Sequence, residues 1–271
     1  MAAGIRAIMG IVSLVLIAGA IVLMFFVVLS GESDTTPLNK TYFLRANTSS
    51  IAGARPISQW TFFYVCGDRN TDCGSPVPAL PLGYAWVGGG AGAPAKLLGS
   101  HGKHTTSYHY YYMWRFGWSF YLAGLTVTVF AFFFALLAPF SRLASGFSGF
   151  VLAIALFFYT LGAALMTSEF VQARKRFTEA GMSAKVGKYA FGFTWGAWAA
   201  LFLAAVALFV GCLAGSSREG KVRTRSTRTN GATTGGGLGN IGFFRRQRSR
   251  RSARGSFVDN ESQRRVKDEY A

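Results

Sequence analysis

Four apolar stretches constrain this chain more than anything else in it. They cover residues 8–30, 116–138, 147–168 and 190–214, and none contains Asp, Glu, Lys or Arg. A helix needs about 20 mostly apolar residues to cross a hydrocarbon core, where every backbone amide must find its partner inside the segment. All four are long enough. A cleaved signal peptide is the competing reading of the first, but its apolar part, Ile8 to Leu29, is long for one, and Ser30-Gly31-Glu32 offers no small-x-small cleavage site. The expectation is an uncleaved span. The predicted fold class is an all-α membrane protein, a four-transmembrane-helix bundle with a small, disulfide-stapled, β-containing extracellular domain.

Composition agrees once it is divided by region. The chain is 51% hydrophobic yet carries a formal charge of +17. Both hold because the apolar residues sit in the four runs while arginines crowd the end of the chain. Residues 215–271 hold 14 Lys or Arg against 5 acids, with a Gly235-Gly236-Gly237 run and many Ser and Thr. Such a segment has too little apolar surface to fold alone and reads as disordered. Within it, Arg245, Arg246, Arg248, Arg250 and Arg251 follow Phe243 and Phe244, a basic-aromatic patch suited to anionic headgroups. Nucleic acid would attract the same charges, but four spans hold the patch at a membrane, so lipid is the expected partner.

Between the first two spans lies a long polar loop, 31–115. Trp60, Phe62 and Tyr64 alternate through a strand-like run that enters a turn at Gly67-Asp68-Arg69-Asn70, with Cys66 and Cys73 on either side. The pair reads as a disulfide across that turn in an oxidising compartment; two thiols in a reducing one is the alternative. The loop also holds two N-x-Ser/Thr sequons, at Asn39 and Asn47, of which Asn47 stands farther from the membrane. His101, His104 and His109 have no acidic or thiol partner at ligand spacing, so no metal site is expected. Gly88-Gly89-Gly90 lacks the Gly-Lys-Ser/Thr of a phosphate loop. The aromatic run from Tyr108 to Tyr121 reads as a membrane-interface belt. No nucleophile with a base, carboxylate dyad or cofactor motif emerges, so neither an enzyme nor a cofactor is expected.

The short turn at 139–146 makes spans two and three an antiparallel hairpin. Glu169, at the end of the third span, is expected to meet water. The loop at 169–189 is basic, with Arg174, Lys175, Arg176, Lys185 and Lys188. In the fourth span Gly192, Gly196, Ala200 and Ala204 repeat at helical spacing and mark a packing face, with packing inside the bundle preferred over packing on a second copy. Four spans put both termini on one side. Five basic residues in the third loop match five just after the fourth span, so charge alone does not orient the chain. The cysteines and sequons do: the segments 31–115 and 169–189 should be extracellular, and 1–7, 139–146 and 215–271 cytoplasmic.

Three segments of the first loop carry a family likeness: Asn39-Lys40-Thr41-Tyr42-Phe43-Leu44, Ala46-Asn47-Thr48-Ser49-Ser50-Ile51, and Trp60-Thr61-Phe62-Phe63 with Cys66. They resemble the first external loop of the fungal Sur-seven/PalI family, and the Trp-Cys-Cys arrangement is similar to the claudin signature. The likeness covers roughly residues 1–215. It marks Asn39, Tyr42 and Trp60 as loop-motif residues. It implies a multi-pass plasma-membrane protein of static cortical domains called eisosomes, with links to endocytosis, cell-wall integrity and sphingolipid homeostasis. Implied partners are anionic phospholipids, sphingolipids or sterols, further copies of the chain, and cortical eisosome proteins. The PalI branch implies an alternative, an accessory to a receptor in ambient-pH signalling.

Overall fold

The computed structural model describes residues 2–214. Four long helices dominate: α1 (Ala2–Val28), α2 (Tyr108–Ala135), α3 (Arg142–Glu179) and α4 (Lys188–Ala214). Each contains a stretch long and apolar enough to cross a membrane. Helices α2 and α3 form the expected antiparallel hairpin, while α1 lies along α4 and α3 packs on α4.

Backbones approach closely where α2 meets α3. A Cβ on Gly162 would stand 2.6 Å from the backbone nitrogen of Tyr121, and one on Gly124 would stand 2.9 Å from the backbone of Tyr159. Glycine therefore sets the separation, since lipid offers no hydrophobic drive between helices and close contact must supply the attraction. Polar groups tie α3 to α4. The Tyr159 hydroxyl donates to the Thr194 carbonyl at 2.9 Å, Ser145 Oγ to the Leu208 carbonyl at 2.9 Å, and Trp198 Nε1 to Thr160 Oγ1 at 2.8 Å. The outward surface is apolar, with Phe130, Phe133, Phe150, Phe157, Leu203 and Leu213 all exposed, as a lipid-facing surface requires.

The helices are longer than the apolar runs. At ~1.5 Å per residue the 38 residues of α3 measure about 57 Å, nearly twice a ~30 Å hydrocarbon core. Its C-terminal turns therefore stand clear of the bilayer as a post, where a loop from residue 169 is expected. Similarly, α2 starts at Tyr108, so the aromatic belt is helical and two-sided. Tyr110, Trp114 and Tyr121 face the core, whereas Tyr108 and Phe116 face outward.

A four-stranded antiparallel sheet sits against the post. Its strands are β1 (Leu44–Asn47), β2 (Ile57–Trp60), β3 (Val65–Cys66) and β4 (Ala184–Val186), in the order β3-β2-β1-β4. The strand-like run after Trp60 is broken: β2 ends there, Thr61–Tyr64 reverses the chain, and β3 returns. Strand β4 comes from the α3–α4 connection and pairs with β1, with Leu44 opposite Val186 and Arg45 opposite Lys185. The first and third connections thus form one domain. Gly187 permits the join, because a Cβ there would stand 1.6 Å from the Tyr42 carbonyl oxygen.

Candidate functional site

Strand alternation divides the sheet into two faces with different work. On the inner face, Leu44, Ala46 and Trp60 are buried against the post. Phe43, just before β1, stacks on Phe170 with ring centroids 5.0 Å apart, and Phe170 also meets Trp114 edge-on at 5.0 Å. Trp60 lies 5.8 Å from Phe177 and 6.4 Å from Trp86, and its Nε1 donates to the Leu82 carbonyl at 2.8 Å. Met166, Phe170, Ala173 and Phe177 recur at helical spacing and are all buried. One continuous apolar core therefore runs from the sheet down into the bundle.

A disulfide joins Cys66 to Cys73 across a sequence separation of 7, as the spacing suggests. Closing so short a loop contributes about 2.5 kcal/mol by chain-entropy arithmetic. Inside it, Asn70 is buried, and its side-chain amide donates to the carbonyls of Leu38 and Thr41 at 2.8 Å each. Its backbone N–H donates to Gln59 Oε1 at 2.8 Å. The stapled turn is thereby fixed to the chain that enters β1. Nearby, the Tyr64 hydroxyl donates to Glu32, and the hydrogen-bonded carboxylate pushes that phenol above its ordinary value.

The outer face is cationic. Arg45 and Lys185 stand directly opposite one another on adjacent strands, with Gln59 next along the row. Together with Lys40, Arg69, Arg174 and Lys188 they line an open hollow of about 690 Å³ whose single acidic lining residue is Asp68. Asp68 Oδ1 accepts from both Nε and Nη2 of Arg45, at 3.0 and 2.9 Å. The sequence gives little notice of this site, because each lysine and arginine reads locally as an ordinary solvated charge. The signal that exists is the Leu44-Arg45-Ala46 and Ala184-Lys185-Val186 alternation, which becomes informative only when the two strands are paired.

The other expected residues fall as follows. Asn39 and Tyr42 are half-buried and line the hollow, whereas Trp60 belongs to the opposite face. Asn47 is exposed at the end of β1, where its Oδ1 accepts from the backbone N–H and hydroxyl of Ser49 at 3.1 and 2.7 Å. His101 packs among Tyr108, Tyr111 and Tyr112, and His109 meets Gln172. Gly192 faces open space, Gly196 is exposed but a Cβ there would stand 3.7 Å from Leu23 of α1, Ala200 is half-buried and Ala204 is fully inside, so the stripe runs from the surface along the α1 contact into the bundle. Glycines that do bring helices together, Gly124 and Gly162, lie in α2 and α3. Arg245, Arg246, Arg248, Arg250 and Arg251 lie outside the described residues.

Glu169 departs furthest from expectation. It does not meet water: the post carries it past the membrane boundary and into the core, where it is fully buried beside Trp60, Leu80, Leu82, Trp114 and Phe170. Neither carboxyl oxygen has a protein hydrogen-bond partner.

Four membrane-crossing helices capped by a stapled sheet that is packed on a helical post define a tetraspan membrane protein. Its sequence matches the SUR7/PalI family model over residues 9–207. The chain belongs to that family. It is 31% identical over 216 residues to Protein SUR7 of Candida albicans, covering 79% of this chain and 78% of that one. It is 32% identical over 189 residues to the SUR7 family protein FMP45 of Saccharomyces cerevisiae, covering 65% of this chain but 57% of the relative. A third relative, described as an uncharacterized plasma membrane protein of Saccharomyces cerevisiae, is 28% identical over 195 residues, 68% of this chain and 62% of its own length.

Proposed function

We propose that this protein is a structural organiser of plasma-membrane microdomains, an eisosome component that assembles laterally and engages anionic lipids and cortical proteins. Through that role it would affect endocytosis, cell-wall integrity and sphingolipid homeostasis. The observation that carries the reading is the unbroken aromatic packing from Trp60 and Phe43 through Phe170 and Phe177 into α3. It makes the outer domain and the bundle one stiff body, which suits a building block better than a gate or a catalyst. Lateral assembly has room in the outward face at Gly192, where a Cβ would meet nothing within 4 Å. The disulfide and the exposed Asn47 sequon support an extracellular sheet, from which cytoplasmic termini would follow.

The test is photobleaching of a fluorescent fusion at the cell cortex. Immobile patches whose recovery is slow compared with a freely diffusing tetraspan are expected. Uniform distribution with full recovery, combined with loss of the alkaline-pH response on deletion, would replace this reading with the pH-signalling accessory.

A further inference from the structure

The cationic hollow is a built site without a function so far, and its chemistry identifies what it would hold. We propose that it binds the phosphodiester headgroup of an anionic lipid in the leaflet on the sheet's side of the membrane. The inference deepens the anionic-lipid part of the organiser reading, but it rests on a different part of the chain from the arginine-rich tail and is tested separately from cortical assembly.

Charge is the first observation. Six cationic side chains, Lys40, Arg45, Arg69, Arg174, Lys185 and Lys188, line the hollow against one acid, an excess of 6 − 1 = 5. Among the described residues only Arg45 of the six has an acidic partner. Elsewhere in the same domain Arg55 pairs with Asp72 at 3.0 Å and Arg176 with Glu179 at 2.9 Å. Like charges directly opposite on neighbouring strands destabilise a sheet, and Arg45 faces Lys185 in this way. Asp68 offsets one of those two charges and a bound anion would offset the other, which makes the register comprehensible as part of a site.

Rigidity is the second. The positions of Arg69 and Lys40 are set by the buried Asn70, which clamps the stapled turn to the 38–41 segment and to Gln59. The residue carrying Arg69 is held at φ 56, in the left-handed region. Arg45 and Lys185 are on paired strands, and Arg174 is on the post. A preformed arrangement of guanidinium forks and ammonium groups is what recognises phosphate oxygens well.

Depth and size are the third. Lys188 and Tyr189 are the first residues of α4 and directly precede the apolar run at 190–214, so this wall of the hollow lies at the boundary of a membrane-crossing segment. Tyr189 is exposed there, and tyrosine settles at that depth because its ring is apolar and its hydroxyl polar. A volume of about 690 Å³ lies in the ~300–1,000 Å³ range of small-molecule sites and has space for a headgroup beyond the phosphate itself. Asn39, Tyr42 and Gln59 supply neutral polar groups for its hydroxyls.

The experiment uses the full chain in phosphatidylcholine nanodiscs doped with a photoactivatable phosphatidylinositol, with adducts mapped by peptide. Cross-links are expected on the 38–45 and 184–189 segments. Replacing two exposed lysines, Lys185→Ala with Lys188→Ala, should weaken labelling of those segments about 30-fold while leaving labelling of the tail unchanged. The charge-preserving Lys185→Arg with Lys188→Arg should restore it, which excludes misfolding as the cause. Labelling of the two segments that is indifferent to the alanine pair would overturn the site. Displacement of the lipid by an equal concentration of soluble glycerophosphoinositol would overturn its assignment to lipid, and leave a site for a free phosphodiester.

Discussion

Replacing Trp60 should loosen the sheet from its post without unfolding the membrane bundle. Its side chain is 2% exposed and contributes two separable things: ring contacts with Trp86 and Phe177, and a hydrogen bond to the Leu82 carbonyl. Trp60→Phe removes the hydrogen bond to the Leu82 carbonyl and part of the ring contact, at a combined cost of about 2 kcal/mol. Trp60→Ala also opens a cavity, which by itself costs about 3–5 kcal/mol. Native-state hydrogen exchange reads both locally, because each ~1.4 kcal/mol lost from the opening free energy speeds exchange about tenfold. Useful reporters are the Phe43 amide bonded to the Trp60 carbonyl at 2.8 Å, and the Thr48 amide bonded to Pro56 at 2.9 Å. Their exchange should rise about 30-fold in the phenylalanine variant and at least a further tenfold in the alanine variant, while amides in the middle of α2 and α3 stay protected. Equal rates in wild type and Trp60→Ala would mean that the sheet does not depend on the aromatic core. Acceleration of the mid-membrane amides to the same degree would mean that the outer domain and the bundle open only together.

Two further substitutions probe the interior. Gly162→Ala places a methyl against the Tyr121 backbone and should destabilise the α2–α3 hairpin by about 1–3 kcal/mol, whereas Gly192→Ala, on the open face of α4, should be neutral or slightly stabilising. Thermal unfolding in one detergent decides the matter, and equal effects would contradict the packing described. Glu169→Met keeps the approximate volume and removes two buried, unpartnered oxygens, so the midpoint should rise by an amount equivalent to about 1–3 kcal/mol. A fall would show that the carboxyl is satisfied by something other than a protein group.

What the sequence discloses here follows the range of the forces involved. Membrane spans are local: the free energy of placing Phe147–Ser168 in lipid depends on those residues alone, so four crossings are legible from hydropathy. Helix ends are less so. The post beyond Ser168 is stabilised by Phe170 and Phe177 packing on Phe43 and Trp60, partners more than a hundred residues away; Met166, Phe170, Ala173 and Phe177 do fall at helical spacing, but among so many charges that stripe does not say what would cover it. The burial of Glu169 has the same origin, since a boundary acid is covered only if a distant tryptophan arrives on top of it. The disulfide lies between these cases, because its two cysteines share one turn and need only that turn's geometry.

The cationic hollow is the extreme of this series. Lys40, Arg45, Arg69, Arg174 and Lys185 come from separate segments, and each alone is most economically read as a hydrated surface charge. They converge because β4, arriving from between α3 and α4, pairs with β1, and that pairing is itself enabled by Gly187 against the Tyr42 carbonyl. The post shows how one element serves both purposes. Ala173 is buried in the aromatic core while its neighbour Arg174, about 100° further round the helix, faces the charge cluster. A helix extended past the bilayer thus spends one face on stability and the adjacent face on charge. A repulsive cluster of this kind can persist only because the other face is so well packed.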